Sequence, residues 1–79
     1  MNWQEHILTD PAICGGRPHV RGTRLTVELL LDLLAAGWTY QALLEEYPQL
    51  NAESLRAVFA FAHDAIRNEH FSPAPAAIV

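Results

Sequence analysis

The chain has 79 residues, 51% of them hydrophobic, and a formal net charge of −4 at pH 7. That length allows one small domain, that apolar fraction excludes a disordered chain, and that charge excludes a wholesale polyanion binder, whose affinity rests on Lys and Arg neutralising phosphates. A single cysteine excludes an internal disulfide, and no apolar run is long enough to span a bilayer, so a cytoplasmic setting is expected. A core built from so short a chain is marginal on its own, so part of the apolar content is expected to be buried against a partner or a second copy.

Residues 1–25 read as short extended segments and turns. "ILTDPAI" carries an Asp-Pro turn signal, "CGG" another, and Gly22 stands where a tight turn favours a positive φ. A small N-terminal β-hairpin or ribbon is expected there. Its second half, "GGRPHVRGTRLTV", holds Arg17, Arg21 and Arg24, three of the five basic residues, and three of the four glycines.

Three helices follow from their punctuation. The first has Thr26 as N-cap and runs to Gly37; the second has Thr39 as N-cap and stops before Pro48; the third has Asn51 as N-cap and runs to about Phe71. Leu25 and Leu30, Trp38 and Leu43, and Leu50 and Leu55 flank the three caps at the spacing of a hydrophobic staple. The second helix has a one-sided apolar stripe at Tyr40, Leu43, Leu44 and Tyr47. The third places Leu55, Val58, Phe59, Ala62 and Ile66 on a core face, with Ala57 and Phe61 extending it sideways. The first is apolar around well over half its circumference. These two over-apolar helices predict a symmetric dimer, with Leu29, Leu31, Leu33 and Phe61 at its interface. The expected organisation is an N-terminal β ribbon (1–25), a three-helix domain (26–71) and a flexible Pro/Ala-rich tail (72–79). The fold class is mainly α.

No constellation in the sequence supports catalysis. The Gly15-Gly16 pair lacks the spacing and the Lys-Ser/Thr of a phosphate-binding loop. Cys14 and His19 read as turn and ribbon residues rather than as a nucleophile with its base. His63 and His70 lie seven residues apart on the third helix, and two ligands do not make a zinc site, so neither metal nor cofactor is expected. Glu45 and Glu46 are adjacent and face different directions.

A helix-turn-helix reading is better supported, because "PQLN" joins helices two and three at the length that motif uses. The start of helix three nevertheless offers Asn51, Glu53 and Arg56 beside Glu45 and Glu46, and acidic groups there repel phosphates. Arg56, His63 and Arg67 form one stripe, open to ion pairs with Glu53 and Asp64 or to a partner. Arg17, Arg21 and Arg24, with His19, suit phosphate oxygens, carboxylates of a protein partner, or plain architecture covering Glu28 and Asp32.

The ordered motifs Asp10-Pro11, Gly15-Gly16-Arg17-Pro18, Gly22-Thr23-Arg24, Gly37 and Tyr47-Pro48 resemble a small prokaryotic family. It is catalogued as domain of unknown function four-three-three, and the resemblance covers about residues 7–62. His19 departs from the pattern where an apolar residue is usual, and Thr26 where proline is frequent. The resemblance implies a homeodomain-like helical domain with a small β element, assembled as a homodimer. It further implies an antitoxin of a type II toxin–antitoxin pair, similar to the VapB class. Such an antitoxin neutralises a PIN-like nuclease toxin and binds its own operator DNA. The alternatives are a free-standing helix-turn-helix regulator and a structural dimer module.

Overall fold

The three expected caps all form. The hydroxyl of Thr26 accepts from the Leu29 N–H at 3.0 Å, that of Thr39 from Ala42 at 3.1 Å, and the Asn51 side chain from Ser54 at 2.8 Å. Each satisfies one of the amides that a helix start leaves without a partner. Helix α1 accordingly spans Val27–Ala35, α2 Tyr40–Glu46 and α3 Ala52–Glu69. The computed structural model describes residues 1–69, so the expected tail at 72–79 and the last residues of helix three lie outside the described residues.

Gly37 ends α1. Its φ is 104°, the Trp38 N–H bonds back to the Leu33 carbonyl at 3.1 Å, and its own N–H bonds to Leu34 at 3.0 Å. This pair of bonds is the Schellman arrangement, and it needs a left-handed residue at that point. Of the six staple residues, five are buried, while Trp38 stays 37% exposed.

The N-terminal quarter forms a two-stranded antiparallel sheet. Strand β1 (Ile7–Leu8) pairs with β2 (His19–Val20), Ile7 opposite Val20 and Leu8 opposite His19. On its other side the β2 backbone meets residues about to enter α1, through the bridge between His19 and Thr26. The Val20 N–H bonds to the Leu25 carbonyl at 2.9 Å, and the Val27 N–H to Pro18 at 3.0 Å. Two 3₁₀ turns, Trp3–Glu5 and Cys14–Gly16, complete the elements. The first was not expected from the sequence.

One core joins the ribbon to the helices. Ile7 and Val20 from the sheet, Val27 and Leu30 from α1, Leu43 from α2, and Leu55, Ala57 and Val58 from α3 form a single buried cluster with Leu25 and Leu50. The turn at Trp3–Glu5 packs on α3. Its indole meets the Phe61 ring edge to face at 4.9 Å and donates Nε1–H to Asp64 at 2.7 Å. His6 lies 3.8 Å from the Glu53 carboxylate.

That docking rotates α3 relative to expectation. Ser54, Ala57 and Val58 face inward and Phe61 is half-buried under Trp3, whereas Phe59 and Ile66 are 41% and 56% exposed. Ten residues of α3 from Leu55 to Asp64 include seven apolar ones, so apolarity marks nearly every face and the packed turn chooses among them.

Candidate partner-binding surfaces

Most of the motif residues in the ribbon have architectural work. The Asp10 carboxylate accepts from the Ala12 N–H at 2.9 Å, closing the Asp-Pro turn. Cys14, Gly15 and Gly16 have φ of 53°, 65° and 83°, a left-handed run that the two glycines adopt without strain and that Cys14 enters with a Cβ. The Cys14 thiol donates to the Arg24 carbonyl at 3.4 Å. Thr23 donates its hydroxyl to the Val20 carbonyl at 2.8 Å and accepts from the Leu25 N–H at 3.0 Å, which clamps the Gly-Thr-Arg turn.

The arginines divide by what they touch. Arg21 donates Nε–H to the Glu5 carbonyl at 2.8 Å, and its backbone N–H bonds to His6, so it ties the ribbon to the first turn. Arg17 and Arg24 are exposed, and no arginine forms an ion pair among the described residues. The three do not converge on one point. Arg17 borders a groove of about 350 Å³ with Pro18, Val27, Glu28, Leu31 and Phe61. A second hollow beside it adds Leu29 and Asp32. Arg24 instead borders a separate cleft with Asp10, His19 and Gln49.

His19 requires correction as a contact residue. It is 2% exposed, with Nδ1 3.3 Å from the Arg17 carbonyl, so it belongs to the packed interior and reaches the surface only at the floor of the cleft bordered by Arg24. It pairs with Leu8 on the face of the sheet opposite Ile7 and Val20 and is buried there all the same. This explains why an apolar residue would serve at the same position.

The expected ion pairs on α3 are also absent among the described residues. Glu53 lies against His6, and Asp64 is taken by Trp3 and, at 3.4 Å, by His63. Arg56 and Arg67 are exposed and unpaired there. The indole N–H of Trp3, followed by the His63 hydrogen bond, holds the Asp64 carboxyl below its ordinary 3.8; the Arg67 charge adds a lesser pull.

The expected interface residues fall in two settings. Leu31 and Phe61 share the groove bordered by Arg17, and Leu29 lies in the adjoining hollow. Leu33 packs against the core. A second apolar surface was not expected: Tyr40 stacks on Phe59 at 5.9 Å with both rings more than 40% exposed, and Ile66 follows two turns further along α3. Its signal was present in the sequence, in the seven-residue step from Phe59 to Ile66, but was read as core.

Among the described residues, no three His, Cys, Asp or Glu side chains converge on a metal position, and no helix is long and apolar enough to cross a membrane.

Comparison with known proteins agrees with this architecture. Over 59 residues the chain is 39% identical to an uncharacterized protein, y4eO, of Sinorhizobium fredii; the match takes in 75% of this chain and 27% of that protein's length. The fold is similar to the crystal structure of a DUF433 member protein from Anabaena variabilis, with a TM-score of 0.73 and 33% identity, covering 84% of this chain and 68% of the other. Residues 7–62 match the family described as protein of unknown function (DUF433), and the chain belongs to that family.

Proposed function

We propose that the protein is the antitoxin of a type II toxin–antitoxin pair that binds and neutralises a PIN-like ribonuclease. The observation that carries this reading is the groove where the exposed Arg17 stands beside Leu31 and Phe61. A guanidinium free of ion pairs among the described residues, set against apolar side chains, suits a protein surface that offers carboxylates. PIN-like nucleases hold their metal with clustered carboxylates, so the two chemistries are complementary. The exposed Tyr40, Phe59 and Ile66 supply a further apolar surface for a homodimer.

The succession of α2, a short turn and α3 favours a second reading, a homeodomain-like DNA-binding regulator acting at its own operator or without a toxin. Charge weighs against base reading by α3. Glu45, Glu46 and Glu53 are exposed around its start, and Arg56 is the one basic residue in its first two turns.

The test is capture of partners by the tagged protein from its native host, washed at high salt and identified by mass spectrometry. An antitoxin retains a stoichiometric small nuclease, because apolar contacts survive screening. Replacing Arg17 and Arg24 together by alanine releases the nuclease without lowering the melting temperature. Recovery of the protein alone overturns the proposal. Operator affinity falling steeply with salt would then identify the regulator.

A further inference from the structure

A cleft of about 670 Å³ opens between strand β1, the Asp10 turn, the Gly22–Arg24 turn and Gln49 before α3. Of its residues only Arg24 and His19 entered the binding readings above, and its floor is unusual. His19 lines it while being 2% exposed. The His19 Nδ1 is bonded to the Arg17 carbonyl at 3.3 Å. A carbonyl only accepts, so Nδ1 carries the proton, and in the neutral ring Nε2 presents a lone pair. Among the described residues Nε2 has no partner within the chain, yet no sealed side-chain nitrogen or oxygen lacks one. Nε2 is therefore not sealed, and the cleft is the opening that His19 lines.

The rim completes the pattern. One Asp10 oxygen is engaged by the Ala12 N–H, leaving the other as an acceptor. Arg24 borders the same cleft and forms no ion pair with Asp10, so donor and acceptor stand apart across it. The Thr23 hydroxyl is used in both directions and is unavailable. Leu8 and Ile13 provide apolar wall.

This distribution discriminates between ligands. A phosphate needs donors at the floor, and finds a lone pair and a carboxylate. A polypeptide segment with an acidic residue offers what each position lacks: a carboxylate for Arg24, a main-chain N–H for His19 Nε2, and side-chain methylenes for Leu8 and Ile13. We infer that this cleft receives an acidic residue of a partner polypeptide, its carboxylate on Arg24 and its main-chain N–H on His19 Nε2. The inference rests on the antitoxin reading and names the second contact through which the partner is held, separate from the groove at Arg17.

The experiment titrates the full ¹⁵N-labelled chain with N-acetyl-aspartate N-methylamide, the blocked asparagine analogue, and acetate. Amide and imidazole nitrogen spectra are followed. The aspartyl probe is expected to give saturable shifts at His19 Nε2, Thr23 and Gln49. The asparagine analogue and the Arg24→Gln variant each bind about tenfold more weakly, from loss of a charge-assisted hydrogen bond. Acetate, which has no N–H, leaves Nε2 unmoved. An unshifted Nε2, an unchanged affinity in Arg24→Gln, or acetate matching the aspartyl probe would each overturn the inference, the last in favour of a small-acid site. Capture of the nuclease by the parent chain separates the two proposals. A captured nuclease with a silent cleft leaves the antitoxin reading standing and removes this one. An aspartyl probe that binds without any captured nuclease does the reverse.

Discussion

Helix α1 begins on a threonine hydroxyl that reaches an amide three residues ahead, whereas Trp3 reaches its hydrogen-bond partner, Asp64, across 61 residues of chain. The helices are specified by contacts of this first kind, repeated at Thr26, Thr39 and Asn51. The ribbon is specified by contacts of the second kind: Ile7 opposite Val20, His6 near Glu53, Trp3 on Phe61 and Asp64. A strand of two residues cannot stand alone, so the ribbon has its shape only where α3 supplies a surface for it.

If the ribbon depends on the helical core in this way, damage to the core must remove both regions together. Leu55 is fully buried, and Leu55→Ala is expected to cost about 2–5 kcal/mol from lost transfer energy and a residual cavity. Urea unfolding followed by circular dichroism and by tryptophan fluorescence should give one coincident transition. Separate transitions would mean that the ribbon and the helices are independent units.

Local devices should cost less and leave the ribbon in place. Thr26→Ala removes a cap and is expected to cost about 1 kcal/mol. Gly37→Ala should cost about 1 kcal/mol as well, since an added Cβ there meets nothing within 4 Å and the penalty is the left-handed backbone alone. Chemical denaturation with an unchanged m-value checks both.

The smallest effect sharpens the long-range side of the comparison. The Asp64 carboxyl is held below 3.8 in the folded chain, chiefly by the Trp3 indole. A lowered folded value means stability that is present in full above 3.8 and lost as pH falls through the folded value. Trp3→Phe keeps an aromatic ring against Phe61 and removes the N–H. Its deficit against the parent chain should therefore be constant near neutrality and shrink as the solution is acidified below pH 4, which a series of urea titrations would follow. A deficit independent of pH would show that ring packing, not the hydrogen bond, holds the turn.

The same division governs what could be read in advance. Caps, staples and the glycine after α1 act within a few residues, so the helix starts at Thr26, Thr39 and Asn51 were legible. The facing of α3 was not, because the choice between Phe59 and Phe61 as the inward ring depends on Trp3 docking from the far end of the chain. His19 was misplaced for a related reason. A polar residue among three arginines reads as surface, and only the packing of the turns around the Leu8–His19 pair buries it. The arginines were recognised as a group, but their separate surroundings follow from turns that bend the ribbon around Gly16 and Gly22.

The bond between Trp3 and Asp64 also has a kinetic meaning. Closing it gathers nearly the whole chain into one loop, and the entropy of closure is lost before the contact repays it. The helices and their caps can form without that loss. The turn at Trp3–Glu5 is thus expected to dock last in folding and to detach first in unfolding, so that Trp3→Phe accelerates unfolding and leaves the folding rate almost unchanged. In that order of events the nearly complete helical unit exists for a moment with the Phe61 face of α3 uncovered, and the first turn is what closes it.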